Sequence, residues 1–334
     1  MGGMIFAPAV LADSLVETAG YKAGLALSLV ELCEHLPEDR EIIQASERGF
    51  VRIRSEEYDE IFYRLLHRIG HTAEQYDGDS TGIGLYHKYK DKYLAEYEGV
   101  LQIFLQVMPE VMREAQLAGK KVLDPRPFIL ACKGKYGWVG FEIALGKVQA
   151  MIRSQNLSPH SGYRYVEWGE RRDLADLFAG GAAAPEVGRF IDQRYIDYLS
   201  NNEGALSDMH WRKFEELTAE YFHRDGYRVE LGPGSNDDGV DVRVWRPDSD
   251  DNPHIIVQCK RQKAKVEKVV VKGLHSDVDF EGAAFGLIVT SSELSPGARS
   301  VVSARGYPIE EVNRDGLRQW LEQLRTPGTG IVRI

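Results

Sequence analysis

Beyond residue 208 the apolar positions recur at two spacings, and each change of spacing marks a new element. From Trp211 to Phe222 they fall every three or four residues, as on one face of a helix, which closes at Asp225-Gly226-Tyr227. A short aliphatic strand follows. Then GSNDDGVDVRVW and HIIVQCKRQ each alternate with the period of two of a strand, and the polar segment RPDSDDNP between them predicts a hairpin connection. The pattern continues as a helix over 266–280, a strand over 284–290, a helix over 295–305, a short strand over 307–312 and a helix over 314–325. This order predicts an α/β sandwich, a mixed central sheet with helices on both faces.

Residues 1–200 carry a different pattern. Helix-compatible apolar spacing runs over 8–35, 56–71, 84–117, 141–155, 170–178 and 186–199, with Pro/Gly-rich breaks near 119–127, 156–162 and 179–185. The segment PFILACKGKYGWVGFEI predicts a short hairpin around Gly134–Gly137; its glycines lack the Gly-Lys-Ser/Thr ending of a phosphate loop. Ser200-Asn201-Asn202-Glu203 and Gly204 read as a linker. The expected organisation is two domains of the α+β/α/β kind: a mainly helical part, residues 1–200, for recognition, regulation or oligomerisation, and the sandwich, residues 207–326.

Composition narrows the class. The 334 residues suffice for two domains with real cores, and 43% hydrophobic with 28% charged residues is the balance of a globular protein. Cys33, Cys132 and Cys259 are odd in number and widely spaced, which predicts a reducing, cytoplasmic location and no zinc site. The N-terminus has no basic region ahead of an apolar run, and no stretch approaches a membrane span.

The second hairpin strand carries the chemistry. Gln258 and Lys260 are two residues apart and share a face, Cys259 points the other way, and the hairpin can bring Asp241 alongside. A carboxylate, an amide oxygen and an ammonium around one point suit metal-dependent phosphodiester hydrolysis: Mg2+ binds oxygen ligands and keeps several waters, and a lysine can orient one of them. Taken singly, Asp241 reads as a strand-edge aspartate and Gln258 and Lys260 as an exposed polar face.

Taken together and in order, these segments resemble the Mrr-type catalytic domain of restriction endonucleases, within the PD-(D/E)XK nuclease superfamily. The resemblance runs through Phe214-Glu215, Gly226-Tyr227, Gly239-Val240-Asp241, Val257-Gln258-Cys259-Lys260-Arg261, Phe285–Ser291 and Ser295-Pro296-Gly297-Ala298. It implies that Asp241 binds metal, that Gln258 stands where the wider superfamily has an acid, that Lys260 is the catalytic lysine and that Glu215, or its neighbour Glu216, completes the metal site. Asp237 and Asp238 would assist a second metal or hold the turn by their side-chain hydrogen bonds. The cofactor implied is Mg2+ or Mn2+, the substrate double-stranded DNA, and the setting restriction or anti-phage defence, with a homo-oligomer as the simple route to double-strand breaks. Two other readings stay open: a signal-gated non-specific nuclease whose N-terminal part senses a ligand or phage component, and a nucleic-acid-binding module that does not cleave.

Net charge is −10, so any contact with nucleic acid must come from a local patch. Arg261, Lys263, Lys265 and Lys268, leading out of the lysine strand, are the candidates for phosphate contact, though such runs also simply face solvent. Two features of the N-terminal half are read as packing. Tyr86, Tyr89, Tyr93 and Tyr97 form a stripe at helical spacing among lysines, and His67 and His71 sit at i, i+4 without a third ligand.

Overall fold

The computed structural model describes residues 3–73, 75, 83–119, 123–157, 168–180, 185–186, 188–234, 239–248 and 252–325. Beyond Gly204 the observed elements follow the expected order. Helix α10 (Trp211–Arg224) packs on a five-stranded sheet of β5 (Arg228–Leu231), β6 (Val242–Trp245), β7 (Ile255–Lys260), β8 (Phe285–Thr290) and β9 (Ile309–Val312), interleaved with α11 (Lys268–Glu281), α12 (Pro296–Arg305) and α13 (Arg314–Leu324). The strands lie in the order β5-β6-β7-β8-β9. The first two pairings are antiparallel, the hairpin expected, and the last two are parallel, each made by a helical crossover.

Alternation along the middle strand sorts the two faces. Ile255 and Val257 of β7 join Phe214, Leu217 and Phe222 of α10 and Leu317, Trp320 and Leu321 of α13 in one core. Ile256, on the opposite face, packs with Leu274 and Val278 of α11, Ile288 and Ala298 in another. The C-terminal ends of β7 and β8 and the start of β6 therefore meet at one edge of the sandwich, which carries Asp241, Gln258 and Lys260.

The N-terminal region is largely helical, with corrections. The helix expected over 8–35 is two, α1 (Val10–Ala23) and α2 (Leu29–His35), because the chain between them forms a short strand, β2 (Leu25–Ala26). That strand pairs in parallel with β4 (Arg172–Asp173), so a two-residue strand and a turn stand where the helix expected over 170–178 would begin, leaving α8 (Asp176–Ala179). Tertiary pairing has overridden local propensity at both places. Val51–Arg54, outside any expected element, is β3 and pairs with β1 (Gly3–Phe6). Between them lies α3 (Arg40–Ser46), and after them α4 (Ser55–Arg68); α9 (Gln193–Asn201) precedes a 3-10 turn at Glu203–Ser207.

A helical unit of α5 (Ile83–Tyr89), α6 (Leu94–Leu117) and α7 (Arg126–Leu157) has a core of its own. The chain turns at 90–93, so the helix expected over 84–117 is broken there. No hairpin forms at Gly134–Gly137; α7 runs through this segment with a sharp break at Gly137 (φ 61°, ψ −142°), a conformation that a residue with a Cβ rarely adopts. The tyrosine stripe spans the break between α5 and α6, and packing is what it does: Tyr89 and Tyr97 are buried in this core.

The hydrophobic core does not stop at residue 200. Leu15, Phe62, Leu66, Ile196 and Leu199 belong to the same buried cluster as Phe214 and Trp320. Polar contacts run alongside: Arg325 donates from Nη1 to Asn201 Oδ1 (2.7 Å) and from Nη2 to the Gly70 carbonyl (2.7 Å).

Candidate active site

Helix α10 presents Glu215 to the sheet because its buried positions (Phe214, Leu217, Thr218, Phe222) fix the face turned inward. Glu215 is only 6% exposed. Its carboxyl shares a side-chain hydrogen bond with Asp241, and burial, reinforced by the Asp241 charge, pushes it up to about 7. The Arg212 guanidinium works in the opposite sense: Nη1 reaches Glu215 Oε2 at 3.0 Å and the Gly232 carbonyl at 2.7 Å. Glu216 turns away and pairs with Lys213 at 2.8 Å, so Glu215 is the helix carboxylate of this site.

Asp241 lies just ahead of β6. Its backbone N–H donates to the Val257 carbonyl (3.0 Å), and its Oδ2 accepts from the Cys259 N–H (2.6 Å), which locks the carboxylate across the end of β7. Register places it opposite Gln258, since Val242 pairs with Val257. The preceding Gly239 has φ 93°, and a side chain there would stand 3.1 Å from Gln258 Nε2, so the turn is left open beside the amide.

Gln258 and Lys260 share a face of β7, as the alternation requires, and Cys259 points to α10, where Sγ lies 3.5 Å from Thr218 Oγ1. The Gln258 Oε1 atom is buried and has no hydrogen-bond partner. Such an orphaned acceptor is rare in a folded interior. The end of the lysine strand is fixed by Thr290, whose Oγ1 donates to the Lys260 carbonyl at 2.8 Å.

Two carboxylates held together and an unsatisfied amide oxygen beside them are the donor set of a hard divalent cation, which would relieve both the repulsion and the unmade hydrogen bond. Among the described residues no group of three or more His, Cys, Asp or Glu side chains gathers. Asp237 and Asp238 lie outside the described residues.

The four basic residues at the strand exit are placed unequally. Arg261 Nη1 donates to the Ser207 carbonyl (3.4 Å), Lys263 pairs with Asp208 (2.8 Å) and Lys265 with Glu293 (2.7 Å), while Lys268 opens α11 on the exposed surface. Two further residues act on the site without having been singled out in the sequence, Arg212 and Thr290. An arginine three residues before a helix carboxylate was the available signal for the first; the second was marked only as the end of a strand resembling the family's, with no role given to it. His71 falls beyond the end of α4, and His67 is occupied by the Thr72 carbonyl and the Asn201 side chain, so the two histidines form no metal pair.

A mixed sheet whose middle strand ends in an amide and a lysine, faced by paired carboxylates, is the layout of a restriction-endonuclease-like nuclease domain. Residues 206–321 match the family model described as Restriction endonuclease, of the Mrr catalytic type, and this C-terminal part of the chain resembles that family from its first helix to its last. No curated protein matches the chain. A solved structure, "MspJI Restriction Endonuclease in Complex with 27-mer Oligonucleotide", aligns at 19% identity and a TM-score of 0.27, over 48% of this chain and 37% of that one. Among the described residues no helix is long and apolar enough to cross a membrane.

Proposed function

We propose that this chain is a divalent-metal-dependent endonuclease that hydrolyses DNA phosphodiester bonds, in restriction or another anti-phage role, with a helical N-terminal part serving recognition, regulation or assembly. The observation that carries the reading is the buried Glu215–Asp241 pair beside the orphaned Gln258 oxygen, on the strand that ends in Lys260. Glu215, Asp241 and Gln258 Oε1 would hold Mg2+ or Mn2+. When bound, that cation supplies charge neutralisation at the phosphate and lowers the pKa of a bound water. The chain's own groups do the rest. Lys260 Nζ donates hydrogen bonds to the attacking water and to the phosphate oxygen on which charge grows. Arg212 keeps Glu215 aimed at Asp241, and the Cys259 N–H holds one Asp241 oxygen in place.

DNA as the substrate rests on the family match and on Lys268 with its basic neighbours beside the site. The test is cleavage of supercoiled plasmid, unmodified and methylated, with Mg2+ or Mn2+ and with EDTA. Metal-dependent nicking or linearisation that Lys260→Ala abolishes is the expected result; DNA binding that ignores EDTA, with no product under any metal, would leave a binding module instead.

One observation favours a second reading, a nuclease gated by its N-terminal part. Arg261 and Lys263 are bonded to Ser207 and Asp208, in the segment that joins the two parts, and Lys263, Ser207 and Asp208 line an open cleft of about 670 Å³. DNA phosphate and this segment would compete for the same cations. Activity that appears only with an added ligand or phage component would favour this reading.

A further inference from the structure

Helix α10 begins with an aromatic residue that its packing does not use. Phe214, Leu217, Thr218 and Phe222 turn to the core, whereas Trp211, at the first helical position, joins none of the hydrophobic cores formed by the described residues. It is 42% exposed. An indole left this far in water forgoes much of the stabilisation that its burial would give.

Lone exposed apolar residues are ordinary, so position is what sets this one apart. Trp211 stands one helical turn before Glu215, about 6 Å along the axis at 1.5 Å per residue, and neighbours it on the helix surface. The chain that leads to Asp241 runs against it. Gly234, at φ 81°, has no side chain where one would stand 3.0 Å from Trp211 Cη2 and 3.2 Å from Arg212 Nη1. The same Arg212 nitrogen bonds Glu215 and the Gly232 carbonyl, and the Gly232 N–H donates to the Asp241 carbonyl (2.8 Å). The indole therefore borders the carboxylate pair through Arg212 on one side and through Gly234 and Gly232 on the other. Beside it stands the His210 imidazole, with ring centroids 5.1 Å apart, fixed as the helix cap where Nδ1 accepts from the Arg212 N–H (3.2 Å).

What a nucleic-acid strand carries next to each phosphate is a base. About 6 Å is the span of one to two nucleotides at about 3.4 Å per step, so a strand with its phosphate at Glu215 and Asp241 brings a neighbouring base to Trp211. An indole stacks on any base, because every base has a π face. That face is open only when the nucleotide is unpaired or swung out of the helix; an intact duplex shows base edges alone in its grooves.

We propose that Trp211 stacks on a nucleobase of the strand being cut, beside the scissile phosphate, so that the site takes DNA with an unpaired or extruded nucleotide at that place. The inference rests on the nuclease reading and adds to it the form of DNA that the site engages.

Binding of labelled oligonucleotides to the full chain tests it, in Mg2+ and in the Lys260→Ala background, where metal should still bind and cleavage should be lost. The probes are a single strand, a fully paired duplex and the same duplex with a central mismatch, followed by fluorescence anisotropy. Trp211→Ala should raise the dissociation constant for the single strand and the mismatched duplex by about fivefold to a hundredfold, the worth of one stacked base. The change for the paired duplex should be smaller, and Trp211→Phe should keep most of the affinity. Tryptophan emission should be quenched when either open substrate binds. That quenching should be missing in Trp211→Phe, which retains four of the five tryptophans. An unchanged thermal midpoint, with its rise in Mg2+, separates a lost stack from a disturbed fold; where Trp211→Ala fails to fold, the quenching measured with Trp211→Phe decides. Unchanged affinity of Trp211→Ala for the open substrates, an equal loss for all three DNAs, or unquenched emission overturns the inference and leaves the nuclease reading standing. A parent protein that binds none of the three DNAs overturns both.

Discussion

Replacing Glu215 with glutamine should make the metal-free protein more stable at alkaline pH while removing its response to metal. The carboxyl of Glu215 sits at about 7 instead of 4.5. A shift of that size corresponds to about 3 kcal/mol between the protonation states, at 1.36 kcal/mol per pK unit. Because the folded value is raised, the folded state holds the proton more tightly than the unfolded chain. The associated stability is fully present below pH 4.5 and is lost as pH rises through about 7. In EDTA the wild type should therefore lose up to about 3 kcal/mol of this contribution by pH 8. A glutamine cannot ionise, and its amide can donate to Asp241. The variant forfeits the partly exposed Arg212 pair, worth at most about 1 kcal/mol. The net gain at pH 8 is about 2 kcal/mol, or roughly 3 °C in thermal midpoint for a protein of 334 residues. At pH 5 the variant should equal the wild type or fall slightly below it. Adding Mg2+ at pH 8 should raise the wild-type midpoint and leave the variant nearly unmoved, since a ligand stabilises only the state that binds it. Thermal unfolding of both proteins at pH 5 and pH 8, with EDTA or Mg2+, reads all of this. Parallel pH profiles in EDTA, or a variant less stable at pH 8, would refute the buried, proton-sharing pair.

Three other substitutions separate the roles of the neighbouring groups. Lys260→Ala should lower cleavage by about a hundredfold to a thousandfold, the effect of removing one preorganised donor, while metal-induced stabilisation, followed by calorimetry, survives. Gln258→Leu removes an acceptor whose unsatisfied burial costs about 1–3 kcal/mol; metal-free urea unfolding should show equal or greater stability, and metal affinity should fall. Asp208→Ala frees Lys263 from an exposed pair, so the thermal midpoint should barely move. DNA affinity at low salt should rise, with a steeper dependence on salt, and an unchanged salt slope would show that Lys263 does not meet phosphate.

The sequence was most legible where local pattern and chemistry coincide. Period-two alternation fixed which side of β7 each residue faces, and with it the shared face of Gln258 and Lys260. The Asp/Pro/Asn-rich turn announced the hairpin that sets Asp241 opposite Gln258. What escaped were features decided by distant partners. Arg172–Asp173 becomes a strand only because Leu25–Ala26 lies beside it, and the packing of Leu66 and Leu199 with Trp320 leaves no trace in local spacing. Thr290 is an ordinary strand-end residue until the parallel register with Lys260 gives its hydroxyl a carbonyl to hold. The hairpin expected at Gly134–Gly137 failed for a related reason. Its glycines serve a single sharp break between two helical stretches, where Gly140 approaches the Cys132 carbonyl too closely for a side chain.

The family match ends at residue 321, but the packing around it does not. Helix α13 closes one face of the sheet with Leu317, Trp320 and Leu321, and the next turn of chain is held by α9, the end of α10 and the chain after α4: Gln193 and Arg224 both donate to the Leu324 carbonyl (2.9 Å each), and Arg325 bonds Asn201 and Gly70. Glu220, on the same helix as Glu215, accepts from the backbone N–H groups of Arg189 and Phe190. Helix α10 is thus gripped from both sides, by the sheet through Phe214 and Leu217 and by the N-terminal region through Glu220. The position of the Glu215 carboxyl relative to Asp241 is set by that helix. Glu220 and Glu215 lie five residues apart on α10, so the N-terminal region and the carboxylate pair are held by the same helix.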